Sequence, residues 1–342
     1  MRNSNPSGPS NAARSIGLVL ALAFIYHKIY RQLTRVSLLN KVVLITGGAR
    51  GLGLALAREL ASKGASLILC SRTAGQLEQA RKELEARGCP VFTRVTDVRD
   101  EKQVAELFQQ SILRFGRIDM LINNAGVMMV GPQNVMGVDD FKDAMEANVW
   151  SSLHTIKAVL PIFKNQQSGH IVNICSIGGR FAVPHMLPYS VSKFAMVGLS
   201  QGLAAELAKD RIKVTTVIPN LMRTGSPRNI TVKGNHEAEY GWFKLAGSFP
   251  LVSQNADQAA RQIVKGIEAG RSEIILTFTA KFVSAVQGIF PGAMGTVAKL
   301  MNALLPRSEN TAVKKGWDAE TRLTHGVIGA ISDRAAEKYN QY

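Results

Sequence analysis

The sequence predicts an α/β fold, a doubly wound parallel sheet of about seven strands with helices on both faces. Three observations predict it. From Lys41 onward, short apolar runs alternate with longer helical stretches, the rhythm of strands joined by crossover helices. Hydrophobic residues make up 46% of the 342, enough to bury both faces of a large sheet. A glycine-rich turn, Thr46 to Gly53, falls between the first apolar run and the first helical stretch.

Taken in order, strands are expected at 42–45, 67–70, 91–95, 120–122, 171–175, 214–218 and 274–277. Helices are expected near 51–63, 75–87, 101–115, 139–165, 189–209 and 256–269. Residues 225–250 mix Gly, Pro and aromatics without a clear period. They read as an irregular lid whose Tyr240, Trp242 and Phe243 offer an apolar face. Past 280 the rhythm changes. Phe282, Val283, Val286, Ile289 and Phe290 share one helical face, and after Pro291 so do Met294, Val297, Leu300, Met301, Leu304 and Leu305. Either these faces pack on the domain or on a second copy, or they dip into a lipid surface. The resulting layout is a disordered 1–13, an apolar segment at 14–36, an α/β domain at 40–278 and a helical extension at 279–342.

The 14–36 segment holds an apolar run at 16–26, with Arg14 before it and Lys28, Arg31 and Arg35 after it. As a helix that run rises only ~17 Å, against a hydrocarbon core of ~30 Å. It reads as an uncleaved membrane anchor with the domain on the cytoplasmic side. A signal peptide cleaved near Ala23 and a dimerisation helix are the competing readings. The net charge is +16, and six Lys/Arg with no acidic residue fall within residues 1–41. The rest of the excess is diffuse, with no Lys/Arg-rich run, so a membrane surface is a better partner than nucleic acid. Cys70, Cys89 and Cys175 form no CxxC pair and read as free thiols in a reducing compartment. The six histidines lack metal-ligand spacing, so no metal is expected.

Thr46-Gly47-Gly48-Ala49-Arg50-Gly51-Leu52-Gly53 has the form of a phosphate cradle. Glycines let the backbone approach a pyrophosphate, and the following helix N-terminus supplies amide donors. At the end of the second strand, Ser71 stands where an NAD site carries an acid, and Arg72 follows. Arg72, with Arg50 from the turn, suits the extra 2′-phosphate of NADP(H). Tyr189 and Lys193, four residues apart, share one helix face. A cation so placed is expected to lower the tyrosine pKa and fit it for proton exchange with an alcohol.

With these motifs in order, the chain resembles the short-chain dehydrogenase/reductase family over about residues 40–278. The glycine turn matches the family's TGxxxGxG motif, and Asn123-Asn124-Ala125-Gly126 its NNAG motif. Asn148, Ser176, Tyr189 and Lys193 match its catalytic tetrad, and Asp97-Val98 its adenine-side contact. The resemblance implies a Rossmann-like sheet and direct hydride transfer between a nicotinamide and a carbonyl or alcohol carbon. It implies that Tyr189 exchanges the proton and Ser176 orients the substrate oxygen. Lys193 would hold the nicotinamide ribose, and Asn148 would place a water. Cofactor contacts are implied at Thr46, Gly47, Arg50, Gly51, Leu52, Gly53, Asn124, Ala125, Gly126, Pro219 and Thr224. Pro219-Asn220 departs from the family's Pro-Gly, and Asn220 is expected to adopt a left-handed backbone there.

The leading expectation is a membrane-associated, NADP(H)-dependent enzyme for a lipophilic carbonyl or alcohol. The alternatives are a soluble enzyme for a small polar carbonyl, whose apolar tails make a homodimer, and a non-catalytic NADP-binding scaffold.

Overall fold

The computed structural model describes residues 35–249, 253–321 and 327–341, the side chains of 327–331 excepted. The expected disordered stretch 1–13 and nearly all of the 14–36 segment lie outside the described residues. Within them, β1 (Val42–Thr46), β2 (Ser66–Ser71), β3 (Val91–Val95), β4 (Met120–Asn123), β5 (Gly169–Ile174), β6 (Ile212–Ile218) and β7 (Glu273–Ile275) form one seven-stranded sheet. Its order is β7-β6-β5-β4-β1-β2-β3, and every pairing is parallel. The order reverses between β1 and β4. That is where a doubly wound sheet opens a crevice at its strand C-termini.

Strands buried on both faces explain the continuous apolar runs. Val42 and Leu44 of β1 join Ile68, Leu121 and Ile171 on one side; Val43 and Ile45 join Leu67, Leu69 and Ile122 on the other. Each fully buried side chain of this size contributes ~1.5–3 kcal/mol. The second side is covered by α1 (Gly51–Ser62), the first by α3 (Glu101–Phe115), while α2 (Ala74–Glu85) flanks β2 and β3. Local chemistry sets the helix ends. Asp100 caps α3 by accepting the Lys102 and Gln103 amides, and Gly116 ends it at φ 72°.

The stretch expected as one helix at 139–165 is broken in three. α4 (Val138–Met145) meets α5 (Ser151–Gln166) through a π-helical turn at Glu146–Trp150. The widened turn carries Asn148, and π-turns of this kind re-aim a side chain within a helix. After β5 comes α6 (Leu187–Glu206), which carries Tyr189 and Lys193 in its first two turns.

The irregular lid expected at 225–250 is a correction. A short helical turn at Ser226–Asn229 leads to α7 (His236–Ser248), capped by Asn235. Tyr240 does not face outward. It is fully buried, and its hydroxyl donates to Glu320 at 2.9 Å. The buried Lys244 ammonium pairs with Glu320 and Asp333. These partners lie 76 and 89 residues away in sequence, so no local pattern signals the helix.

α8 (Ala256–Glu268) packs beside α1, with Ala260, Ile263 and Ile267 on its buried face. α9 (Phe278–Ile289) and α10 (Pro291–Ala303) follow β7, broken at Pro291 as expected. Their apolar faces are not packed away. Phe278, Phe282, Ile289, Phe290, Leu300 and Leu304 are all exposed. The chain then returns to the domain. Lys314–Lys315 pairs antiparallel with Thr231–Val232, and α11 (Val327–Lys338) packs on α7. Among the described residues no helix is long and apolar enough to cross a membrane.

Candidate active site

The glycine turn connects β1 to α1 at the crevice. A Cβ on Gly53 would stand 2.2 Å from the Gly47 carbonyl oxygen, so only glycine lets the turn close this tightly. Gly51 sits at φ +56°, a left-handed conformation that costs other residues strain. Two residues expected at the cofactor act as braces. Thr46 Oγ1 accepts the amides of Asn124 and Ala125 at 3.0 Å. The Asn124 side-chain amide donates to the carbonyls of Thr46 and Gly47 at 3.0 and 3.2 Å. These bonds tie the turn to the end of β4 and fix the spacing of the crevice walls.

Beyond the turn lies a cationic corner. Burial first, and then the neighbouring Arg72 charge, lower the Arg50 pKa from its ordinary value. Arg50 Nη1 donates to Asn229 Oδ1 at 2.7 Å, and among the described residues neither arginine has a carboxylate partner. With no carboxylate partner among the described residues, the two guanidiniums leave this corner of the crevice cationic. Ser71 accepts the Thr73 amide at 3.3 Å and places no acid there. On the next strand end, Asp97 accepts the Arg99 amide, and the Val98 carbonyl meets the His154 ring at 3.3 Å.

The four tetrad positions converge on the other side of the crevice. A Cβ on Gly178 would lie 3.1 Å from Tyr189 Cε1 and 3.5 Å from Ser176 Oγ, so this glycine lets the serine and the phenol come together. Lys193 Nζ lies 5.7 Å from the Tyr189 ring centroid and donates to the Ile174 carbonyl at 3.1 Å. Asn148 Oδ1 accepts the Val127 amide at 2.9 Å, while its Nδ2 donates to the Val127 carbonyl and to Ser192 Oγ. A Cβ on Gly126 would lie 2.6 Å from Asn148 Oδ1, so the strand-end glycine is what lets the tetrad approach. Ser192, which holds Asn148, is a positioning residue that motif reading passed over.

Electrostatics differ from the sequence expectation. Burial pushes the Tyr189 phenol up to about 12, and the neighbouring Ser176 hydroxyl offsets only part of this. Lys193 is itself buried, which lowers its own pKa and disfavours the charge that was expected to stabilise a phenolate. The phenol is therefore held protonated in this state of the chain.

The loop after β6 also departs from expectation. Asn220 is not among the left-handed residues; its side chain instead donates to Thr279 Oγ1 at 3.0 Å, at the start of α9. Pro219 accepts the Ile177 amide, and Thr224 Oγ1 donates to Ser226 Oγ. Apolar side chains pack around Tyr189: Val130, Met186 and Phe243 are buried with it, and Met128, Val183 and Leu221 pack against them, while His185, next to Met186, pairs with the buried Glu239 at 2.8 Å. The three cysteines are buried and unpaired.

With this geometry established, likeness to known proteins becomes informative. A family profile described as short chain dehydrogenase matches residues 41–233. A dehydrogenase/reductase SDR family protein 7-like from Anopheles gambiae is 34% identical over 243 residues, covering 69% of this chain and 75% of its own. A short chain dehydrogenase from Burkholderia cenocepacia, solved in complex with NADP, is 25% identical with a TM-score of 0.64. It covers 79% of this chain and all of its own. A xylitol dehydrogenase solved with NAD+ bound is 27% identical with a TM-score of 0.62, over 70% of this chain and 99% of that one.

Proposed function

The chain belongs to the short-chain dehydrogenase family, and on that premise we propose that it is an NADP(H)-dependent oxidoreductase interconverting a lipophilic ketone or aldehyde with its alcohol. The observation that carries this reading is the convergence of Ser176, Tyr189 and Lys193, with Lys193 Nζ 5.7 Å from the phenol ring centroid, among apolar side chains at the mouth of the glycine-lined crevice.

The residues present fit a phosphorylated dinucleotide. The glycines at 51 and 53 let the turn close tightly against the start of α1, and the Leu52 amide belongs to the first turn of that helix, where donors lack intrahelical acceptors. Arg50 and Arg72 would hold the 2′-phosphate. Asp97 and Val98 flank the adenine side, Lys193 serves the nicotinamide ribose, and Pro219 and Thr224 border the nicotinamide. Bound there, the nicotinamide supplies or accepts the hydride exchanged with the substrate carbon. The Burkholderia relative supports NADP and the xylitol dehydrogenase shows that the fold alone does not choose. The strand end, with Ser71-Arg72 in place of an acid, favours NADP.

In reduction, the Tyr189 O–H donates to the carbonyl oxygen as negative charge develops on it, and Ser176 orients that oxygen. A phenol held protonated by burial is the form that reduction requires. Asn148, locked to Val127, holds its place beside Gly126 and suits the placing of a water that renews the proton. The apolar wall selects against charged substrates, because burying an unpaired charge there is costly.

α9 begins at the loop that borders the nicotinamide, through the Asn220–Thr279 bond. Its exposed apolar face, continued by α10, lies in a stretch at 281–308 with three basic residues and no acidic one. This combination supports association with an anionic membrane from which a lipophilic substrate enters. The test is a panel of ketones and aldehydes of rising chain length and ring count, assayed with NADPH and NADH. NADPH-dependent reduction that improves with apolar size supports the reading; preference for short, charged carbonyls overturns it.

A further inference from the structure

The last described residues lie on the cofactor site, although Asn340 is 291 positions from Ala49. The Tyr339 carbonyl accepts the Gly51 amide at 2.9 Å, at the N-terminus of α1. Asn340, left-handed at φ 56°, donates from Nδ2 to the carbonyls of Ala49 at 3.0 Å and Gln76 at 2.9 Å. Its own carbonyl accepts from Gln76 Nε2 at 3.1 Å. Gln341 reaches the opposite wall. Its Oε1 accepts the Gly225 amide at 2.6 Å, one residue past Thr224, and a Cβ on Gly51 would lie 3.3 Å from its Nε2.

This tail is firmly seated. Tyr339 is buried beneath the Arg58 guanidinium, and Arg58 Nη2 donates to the Lys338 carbonyl at 2.9 Å. Lys338 pairs with Asp257 at 2.5 Å, and Asp333 pairs with the buried Lys244. A Cβ on Gly225 would collide with Ala336, so the loop beside Thr224 is shaped to receive the tail.

We infer that residues 339–341 form a latch over the bound dinucleotide, joining the turn that takes its pyrophosphate to the loop that borders its nicotinamide, and that opening the latch limits release of NADP(H). The inference rests on the cofactor reading above. The bonds made by Tyr339, Asn340 and Gln341 span the crevice without touching Arg72, Ser176, Tyr189 or Lys193, so both the anion corner and the tetrad stay available. The latch also has suitable polarity. The whole Gln341 amide lies 3.3–3.4 Å from a Cβ on Gly51, and with Oε1 taken by the Gly225 amide its Nε2 is the atom left to donate to an anionic pyrophosphate. It takes one turn amide, that of Gly51, and leaves those of Leu52 and Gly53 in the first turn of α1.

The test is stopped-flow release of NADPH from the full chain, followed by nucleotide fluorescence during displacement with excess NADP+. Asn340→Gly keeps the left-handed backbone and removes the two side-chain bonds to the Ala49 and Gln76 carbonyls; Gln341→Ala removes the bond to Gly225. The double variant is expected to release NADPH at least about tenfold faster. Unchanged release would overturn the latch. So would faster association with unchanged release, since that is how a plug behaves. Should the double variant fold poorly, hydrogen exchange on the wild type decides: NADPH should slow exchange at 332–341 together with 49–53, and no change at 332–341 counts against the latch. A wild type that binds neither NADPH nor NADH would sink the cofactor reading and the latch with it, whereas normal binding with unaltered release sinks the latch alone.

Discussion

Replacing Tyr189 with Phe keeps the ring in its apolar seat and removes the O–H. Turnover is expected to fall by about 10²–10⁴-fold while NADPH binding persists; near-wild-type turnover would mean that another group moves the proton. Burial raises this phenol's pKa, so its neutral form persists through neutral pH. Carbonyl reduction should therefore stay level between about pH 6 and 9 and decline only as the phenol ionises at more alkaline pH. Alcohol oxidation, which needs the phenolate, should climb over the same range. A reduction profile that falls through pH 7 contradicts this. Arg72→Ala removes half of the cationic corner and should weaken NADPH binding by roughly tenfold to hundredfold, with NADH binding little changed. Equal losses for both nucleotides, by titration, would assign Arg72 another role. The turn was legible from glycine sterics at Gly53 and the Tyr189–Lys193 pair from one helical turn of spacing, whereas Asn148 and Ser176 were legible only through the resemblance to the family. The direction of the Tyr189 shift was not legible, because it follows from what the fold buries around the pair. Asn220 likewise found its use through a distant partner, Thr279.

At the scale of elements, α9 and α10 carry the least settled surface of the molecule. Phe282 is 60% and Leu300 65% exposed, so serine at either place should alter stability by little, within about 0.5 kcal/mol. Phe282→Ser with Leu300→Ser should lower reduction of a long-chain ketone delivered in anionic vesicles by about tenfold, and leave reduction of a short water-soluble ketone unchanged. Equal effects on both substrates would mean that the faces serve the fold. A wild type that runs as a dimer, and becomes a monomer on these substitutions, would assign them to a second copy. The central strands were legible as apolar runs because each is buried on both faces within its own few residues, while the edge strands β3 and β7 are only partly buried. α7 was not, since Tyr240 and Lys244 draw their stabilising partners, Glu320 and Asp333, from the far end of the chain.

At the scale of the whole molecule, the C-terminal region is two things. α9 and α10 project apolar side chains outward, whereas residues 312–321 and 327–341 fold back as part of the domain. His236 meets the Ala312 carbonyl, Glu320 takes the Tyr240 hydroxyl, and Gln341 closes on Gly225. Removing everything after Ala280 would thus strip ion partners from α7 and should cost several kcal/mol of stability, seen as a lowered thermal midpoint. A truncated chain with an unchanged midpoint would show these contacts to be dispensable. Nothing periodic in 304–341 announces this return, because its contacts span hundreds of residues and depend on shape, not on pattern.

The family's chemistry on this chain comes down to whether a hydride passes to a carbonyl carbon under the control of Tyr189. Wild type and Tyr189→Phe should each be incubated with deuterated NADPH, labelled at the transferable nicotinamide position, and an apolar ketone, and the alcohol examined by mass spectrometry. The expected result is one deuterium at the carbinol carbon with wild type, and almost no alcohol with the variant although it binds NADPH. Alcohol lacking the label, or labelled alcohol formed equally fast by both proteins, would contradict it.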